Sequence, residues 1–176
     1  LMVAAVYELA AVQCDKDLVV EYLADFVRFY ETVEDRQFTE YGLFWSDDDR
    51  DAMERSISGK GLRPTLNSYM YANALAVSRI SSWAGRSELQ KQYQEKADRL
   101  KKRILSLLWD RKDQFFKVIP LEEKNVGSAS IDFTEIPKEQ NVREEIGYIP
   151  WGMGILENDC DRAWKYLMDS HYFKTP

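Results

Sequence analysis

The opening segment LMVAAVYELAAV is so consistently apolar that residues 1 to 12 are expected to form a helix buried on most sides. Over residues 17–34 the pattern becomes amphipathic. Leu18, Val19, Tyr22, Leu23, Phe26, Val27, Tyr30 and Val33 recur at helical spacing. A turn at 14–17, with Asp15 or Asp17 as N-cap, joins the two as an antiparallel pair, one inner and one outer. Periodicity lapses over 35–63 and returns in TLNSYMYANALAVSRISSWA, a second inner helix that starts behind Pro64 and is broken by Gly85. Ser87 then caps an outer helix over 88–108, striped by Leu89, Tyr93, Ala97, Leu100, Ile104, Leu107 and Leu108. Residues 109–120 alternate as a small β-hairpin turning near Arg111–Asp113, and 121–142 read as a polar surface loop. The segment 144–158 leads into a third inner helix, and 159–169, with Asp159 as a cap, forms its outer partner.

Small, apolar inner helices alternate with amphipathic outer ones at a period of roughly sixty residues. With long loops gathered at one end, this pattern describes an all-α fold, the α/α toroid of six-hairpin type. The chain supplies about three of the six hairpins plus the small β-hairpin, so residues 1–176 are expected to be a single partial domain. Both ends read as internal to a larger fold: no basic leader precedes Leu1, and SHYFKTP stops without a capped element. A solenoid of helix pairs would give a similar pattern, but its loops are short and regular, unlike 35–63 and 109–143.

The composition, 45% hydrophobic and 31% charged, is that of an ordered globular protein. The net charge of −6 opposes nucleic acid or an anionic membrane surface as partner and suits a neutral substrate handled by carboxylates. No apolar run approaches the ~20 residues of a spanning helix, so membrane insertion is not expected. Cys14 and Cys160 stand far apart without companion ligands, so neither a zinc site nor another metal or cofactor is expected. The single His171 leaves Ser-His-Asp and Cys-His chemistry only that one residue to work through. Catalysis must lean on carboxylates, Tyr, Lys or Arg.

The richest candidate is the aperiodic stretch from Tyr41 to Asn73, which crowds Asp47, Asp48, Asp49 and Asp51 against Phe44 and Trp45. Glycosidic cleavage needs two carboxyl groups across the scissile bond, one to protonate the leaving oxygen and one to activate water or attack. Neighbouring acids and an apolar wall are what keep a carboxylic acid protonated near neutral pH. The same residues would also serve as a solvated turn, a helix start or a calcium loop, although the glycine and terminal glutamate of an EF-hand are missing.

Three motifs extend the reading: W-x-x-D-x-x-D-x-M-E-x-S-I-S-G from Trp45, R-P-T-x-N-S-Y-M-Y from Arg63, and R-E-x-I-G-Y-I-P-W from Arg143. Together they resemble the glycoside hydrolase domain shared by mannosylglycerate-hydrolase-like and trehalase-like proteins, and more distantly the processing α-glucosidases of the same clan. The likeness runs from residue 1 to about 170. It implies a six-hairpin toroid, an inverting mechanism on an oligosaccharide or glycoside with an α-linked or rhamnose-like sugar, and an aspartate of this loop as general acid. That acid is Asp48, which follows the tryptophan as the clan's loop does, or Asp51, which opens the D-x-M-E segment. By the same resemblance Glu54 positions a sugar hydroxyl, unless it caps or pairs with Arg55 or Arg63. Trp45 either stacks on a sugar ring or packs the loop. Arg63, Asn67 and Tyr69 lie where the loop enters the inner helix, so that some of them face the pocket as substrate contacts, and Trp151 lines a subsite. Glu144 is the one strong second carboxylate here, while the family's general base lies later in the chain. Competing readings are a non-catalytic helical-hairpin scaffold that binds carbohydrate or protein, and a toroid epimerase or lyase. The lone His171 disfavours an epimerase built on paired histidines.

Overall fold

The computed structural model describes residues 1–47, 51, 56–121, 139–156, 161–169 and 171. Helix α1 (Met2–Gln13) closes on Cys14 in the left-handed conformation, a free and exposed thiol. Asp15, one of the two expected caps, accepts from the backbone N–H of Leu18 at 3.4 Å and opens α2 (Lys16–Glu21). The expected single helix over 17–34 is broken at Tyr22 and continues as α3 (Leu23–Gln37).

The aperiodic stretch contains two short strands, β1 (Trp45–Ser46) and β2 (Gly61–Leu62), which the pattern of the sequence did not announce. They pair antiparallel, and β5 (Ile119–Pro120) adds to the other side of β2, giving a three-stranded sheet in the order β1-β2-β5. The expected β-hairpin is present, with β3 (Trp109–Asp110) paired to β4 (Phe115–Phe116). Two-residue strands present too little alternation to be read from sequence.

Helix α4 (Pro64–Trp83) is the spine of the structure: Pro64 occupies its first turn, and α1, α3 and α5 all pack on it. Helix α5 (Ser87–Arg103) begins one residue earlier than expected, with Arg86 rather than Ser87 at the cap, and ends in a π-helical turn over Ile104–Leu108. The third inner helix is shorter than expected. A 3₁₀ turn (Glu145–Tyr148) runs into α6 (Ile149–Gly152), and α7 (Asp161–Met168) follows. Asp159 lies outside the described residues.

The core gathers Val3, Tyr30, Phe44, Met70, Val77, Ile80, Tyr93, Ala97 and Ile104 around α4. The expectation that α1 is buried on most sides does not hold: Val3 and Ala10 are its buried residues, and Leu9 and Val12 stand in solvent. The covered surface of α1 faces α4 and α2. The molecule is thus mostly helical with small antiparallel sheets, and no helix among the described residues is long and apolar enough to cross a membrane.

A candidate active site at the acidic loop

The site is built where β1 and β2 meet the start of α4. Arg63, the residue just before Pro64, extends its guanidinium inward and is completely buried. Its Nε donates to Asp51 Oδ2 at 2.6 Å and its Nη2 to Asp51 Oδ1 at 3.2 Å. Its Nη1 donates to Ser56 Oγ at 3.0 Å and to the carbonyl of Gly59. Ser56 Oγ lies 2.9 and 3.0 Å from the two carboxylate oxygens of Glu144, and the backbone N–H of Ile57 donates to the same group at 2.8 Å. One guanidinium therefore ties Asp51 and Glu144, carboxylates far apart in the chain, to both flanks of the acidic loop. A buried charge without such partners would cost several kcal/mol, which is why the pair is completed rather than left facing an apolar wall.

Asn67 works on the other flank. Its Oδ1 accepts from the N–H of Phe44 at 2.7 Å, and its Nδ2 donates to the carbonyls of Phe44 and Arg63 at 2.9 and 2.8 Å. The amide thus replaces a strand partner for Phe44 and fixes β1 to the helix. Trp45 is buried, with its indole N–H donating to the carbonyl of Leu121 at 3.2 Å, so of its two readings the burial supports packing of the loop. Tyr69 remains partly exposed one helical step along. Burial, and then the negative charge of Asp51, raise its phenol above the ordinary value.

Trp151 lies in an aromatic cluster with Trp109, Phe115, Phe116, Tyr148 and Trp164. Its ring is partly exposed, and its buried Nε1–H finds no partner among the described residues. Tyr148 donates to the carbonyl of Ala163 at 2.6 Å, and burial pushes its phenol up to about 12. Gly147 makes this cluster possible: a Cβ there would lie 2.2 Å from a ring carbon of Phe115 and 2.4 Å from the carbonyl of Phe116.

Of the residues singled out in the sequence, Asp51, Arg63 and Glu144 come together in one network. Asn67 and Trp45 brace the strand beside it, Tyr69 borders it, and Trp151 belongs to the aromatic cluster. Asp48 and Glu54 lie outside the described residues. Sequence reasoning missed Ser56 as the hydroxyl between Arg63 and Glu144; its one signal was membership of the first motif. It also missed Lys117, buried in the β3–β4 region, whose ammonium donates to Asp110 at 2.9 Å, to Asn141 at 2.7 Å and to Asp113. The described residues contain no group of acids, cysteines or histidine arranged to hold a metal ion.

A solved structure described as "Sialidase" superposes on this chain with a TM-score of 0.77 and 34% identity, covering 92% of this chain and 14% of that one. An uncharacterized protein of Borreliella burgdorferi is 25% identical over 164 residues, which are 92% of this chain and 32% of that protein. The chain thus spans about a third of that relative and a smaller part of the sialidase. The family model described as "Mannosylglycerate hydrolase MGH1-like glycoside hydrolase domain" matches residues 1–176, and the chain belongs to that glycoside hydrolase family.

Proposed function

We propose that these residues form one part of an inverting glycosidase built on an α/α toroid, with Asp48 as its general acid. The family membership supports a carbohydrate substrate and hydrolysis. The alternation of α1 and α4 with α3 and α5 supports the toroid, as do the site loops gathered where α4 begins.

The observation that carries the choice of acid is the state of Asp51. Both of its oxygens accept N–H bonds from Arg63 in a buried pair. A carboxylate held this way is an acceptor and a positioning group, poorly placed to give a proton to a leaving oxygen. That favours Asp48, the other candidate of the loop. Glu144 is occupied in the same sense by Ser56 and Ile57, which favours a water-activating base from a part of the longer protein outside these residues. In an inverting enzyme that base stands ~6.5–9.5 Å from the acid, with the nucleophilic water between them. Asp48 protonates the glycosidic oxygen, the base takes a proton from the water, and the anomeric centre inverts. An α-linked glycoside is the substrate class, and Tyr69, Glu54 and Trp151 are the contacts proposed for it.

The test uses the longer natural protein with aryl glycosides, α-linked disaccharides, mannosylglycerate and sialosides. The sialosides enter because the structural relative is named a sialidase. Asp48→Asn is expected to lose turnover with its melting temperature kept. Asp51→Asn is expected to lose stability and retain measurable turnover below its melting point. Full activity in Asp48→Asn overturns the assignment. Retention of configuration in the first product, read by NMR, overturns the inverting mechanism.

A further inference from the structure

Helices α3 and α5 both pack on α4 and meet through Glu34–Lys96 and Tyr30–Tyr93, and a hollow of about 590 Å³ is lined by residues of both. It shares no residue with the network of Asp51, Ser56, Arg63 and Glu144. Its floor is apolar and closely packed, with Tyr30 and Phe44 edge to face and Leu100 beside them, all at most 3% exposed, and Phe38 stands 40% exposed at the mouth. Its rim is cationic. Lys96, Arg99, Lys102 and Arg103 all line it, against the single carboxylate of Glu34.

Lys96 is accounted for within the fold, because it pairs with Glu34 and lies over the rings of Tyr30 and Tyr93. The other three are not. Arg99 has only a loose 3.8 Å approach to Glu95, and among the described residues no carboxylate is paired with Lys102 or Arg103. Both are exposed, and Arg103 lies along Gly42 on the opposite wall. Basic residues in a last helical turn offset the helix dipole. That does not account for Arg99 a turn earlier, nor for their shared orientation towards an aromatic floor. In a chain of net charge −6, this rim is a local reversal of sign.

We propose that this hollow is a docking site for an acidic polypeptide segment that inserts a large apolar side chain between α3 and α5. Charge complementarity selects the acids, and the volume suits one or two apolar side chains. A saccharide, even an anionic one, fits less well. Apart from Tyr30 and Ser106 the lining offers sugar hydroxyls no neutral hydrogen-bonding side chain, and the walls are mostly carbon.

The probe is a synthetic peptide of glutamates flanking a central phenylalanine, titrated onto the natural full-length protein. The expected result is binding that weakens with salt and falls about tenfold when the phenylalanine is replaced by alanine. It also falls about tenfold in the Lys102→Glu/Arg103→Glu variant. These two side chains are exposed, so the variant should keep its circular dichroism and melting temperature. Three results overturn the proposal: affinity unchanged by charge reversal, a heparin-derived oligosaccharide that binds as tightly as the peptide, or a change in sedimentation showing that the face joins two copies of the protein.

Discussion

Arg63 shows how much of a site can rest on one side chain. It is fully buried and makes every one of its described guanidinium bonds to groups of the acidic loop. The sequence placed it where the loop enters α4, and there it bonds Asp51 and Ser56. What the sequence could not show is the direction in which each neighbour points. Trp45 next to a run of aspartates reads equally well as a stacking platform or as a wedge, because its exposure depends on Leu121, which meets it from far along the chain. Asn67 likewise looks like a sugar ligand until its amide is found filled by Phe44 and Arg63. Lys117 carried no motif at all, and it supports a prediction. Its hydrogen bond is the largest cause holding both Asp110 and Asp113 below the usual carboxylate range. A depressed carboxylate stabilises the fold above its unfolded value, here 3.8, and that contribution is lost as pH falls towards the lower folded value. Lys117→Met should therefore lower the urea midpoint at pH 7 and flatten its decline between about pH 4 and 2. Parallel declines in the two proteins would remove Lys117 from the account.

At the scale of elements, long periodic helices were legible and two-residue strands were not. Helix α4 was expected from Thr65 to about Ala84 and runs from Pro64 to Trp83, because its small apolar residues are helical in spacing and its ends carry proline and glycine. The β1-β2-β5 sheet escaped because its register is set by contacts between distant segments rather than by alternation. Gly61 holds that sheet together. Its φ is +145°, and a Cβ would meet the carbonyl of Ile119 at 2.2 Å. Gly61→Ala is therefore expected to destabilise the protein by about 1–3 kcal/mol, through overpacking and backbone strain. The effect should concentrate on β5 and on the Trp45 to Leu121 bond it carries. Tryptophan fluorescence and a thermal melt would report it. A melting temperature within error of the wild type would show that β5 can shift at no cost.

For the molecule as a whole, the expected burial of α1 was the clearest departure. Leu1 with Met2, Leu9 and Val12 of α1, and Trp164, Leu167 and Met168 of α7, leave apolar surface exposed at both ends of the described structure. The apolar character of α1 was read correctly; which element covers it was not, since periodicity identifies a face but not its partner. Surfaces of this kind drive association. The 176-residue chain prepared alone is expected to self-associate with rising concentration, and Leu9→Lys/Val12→Lys to reduce this, as measured by light scattering on a sizing column. A strictly monomeric wild-type chain would contradict it.

The bond between Ser56 and Glu144 has a consequence in time as well as in space. The residues are 88 positions apart, whereas Arg63 is within 12 of Asp51. Loop closure over the longer span is the slower event. The strand side of the site can set early, on Asn67 and Phe44, while the other flank waits for a segment synthesised much later. During translation the acidic loop would be complete in sequence long before it is complete in structure. In pulse-labelled hydrogen exchange during refolding, the Ile57 amide, which donates to Glu144, should gain protection after the Phe44 amide, which donates to Asn67. Simultaneous protection would mean that both flanks close in a single step.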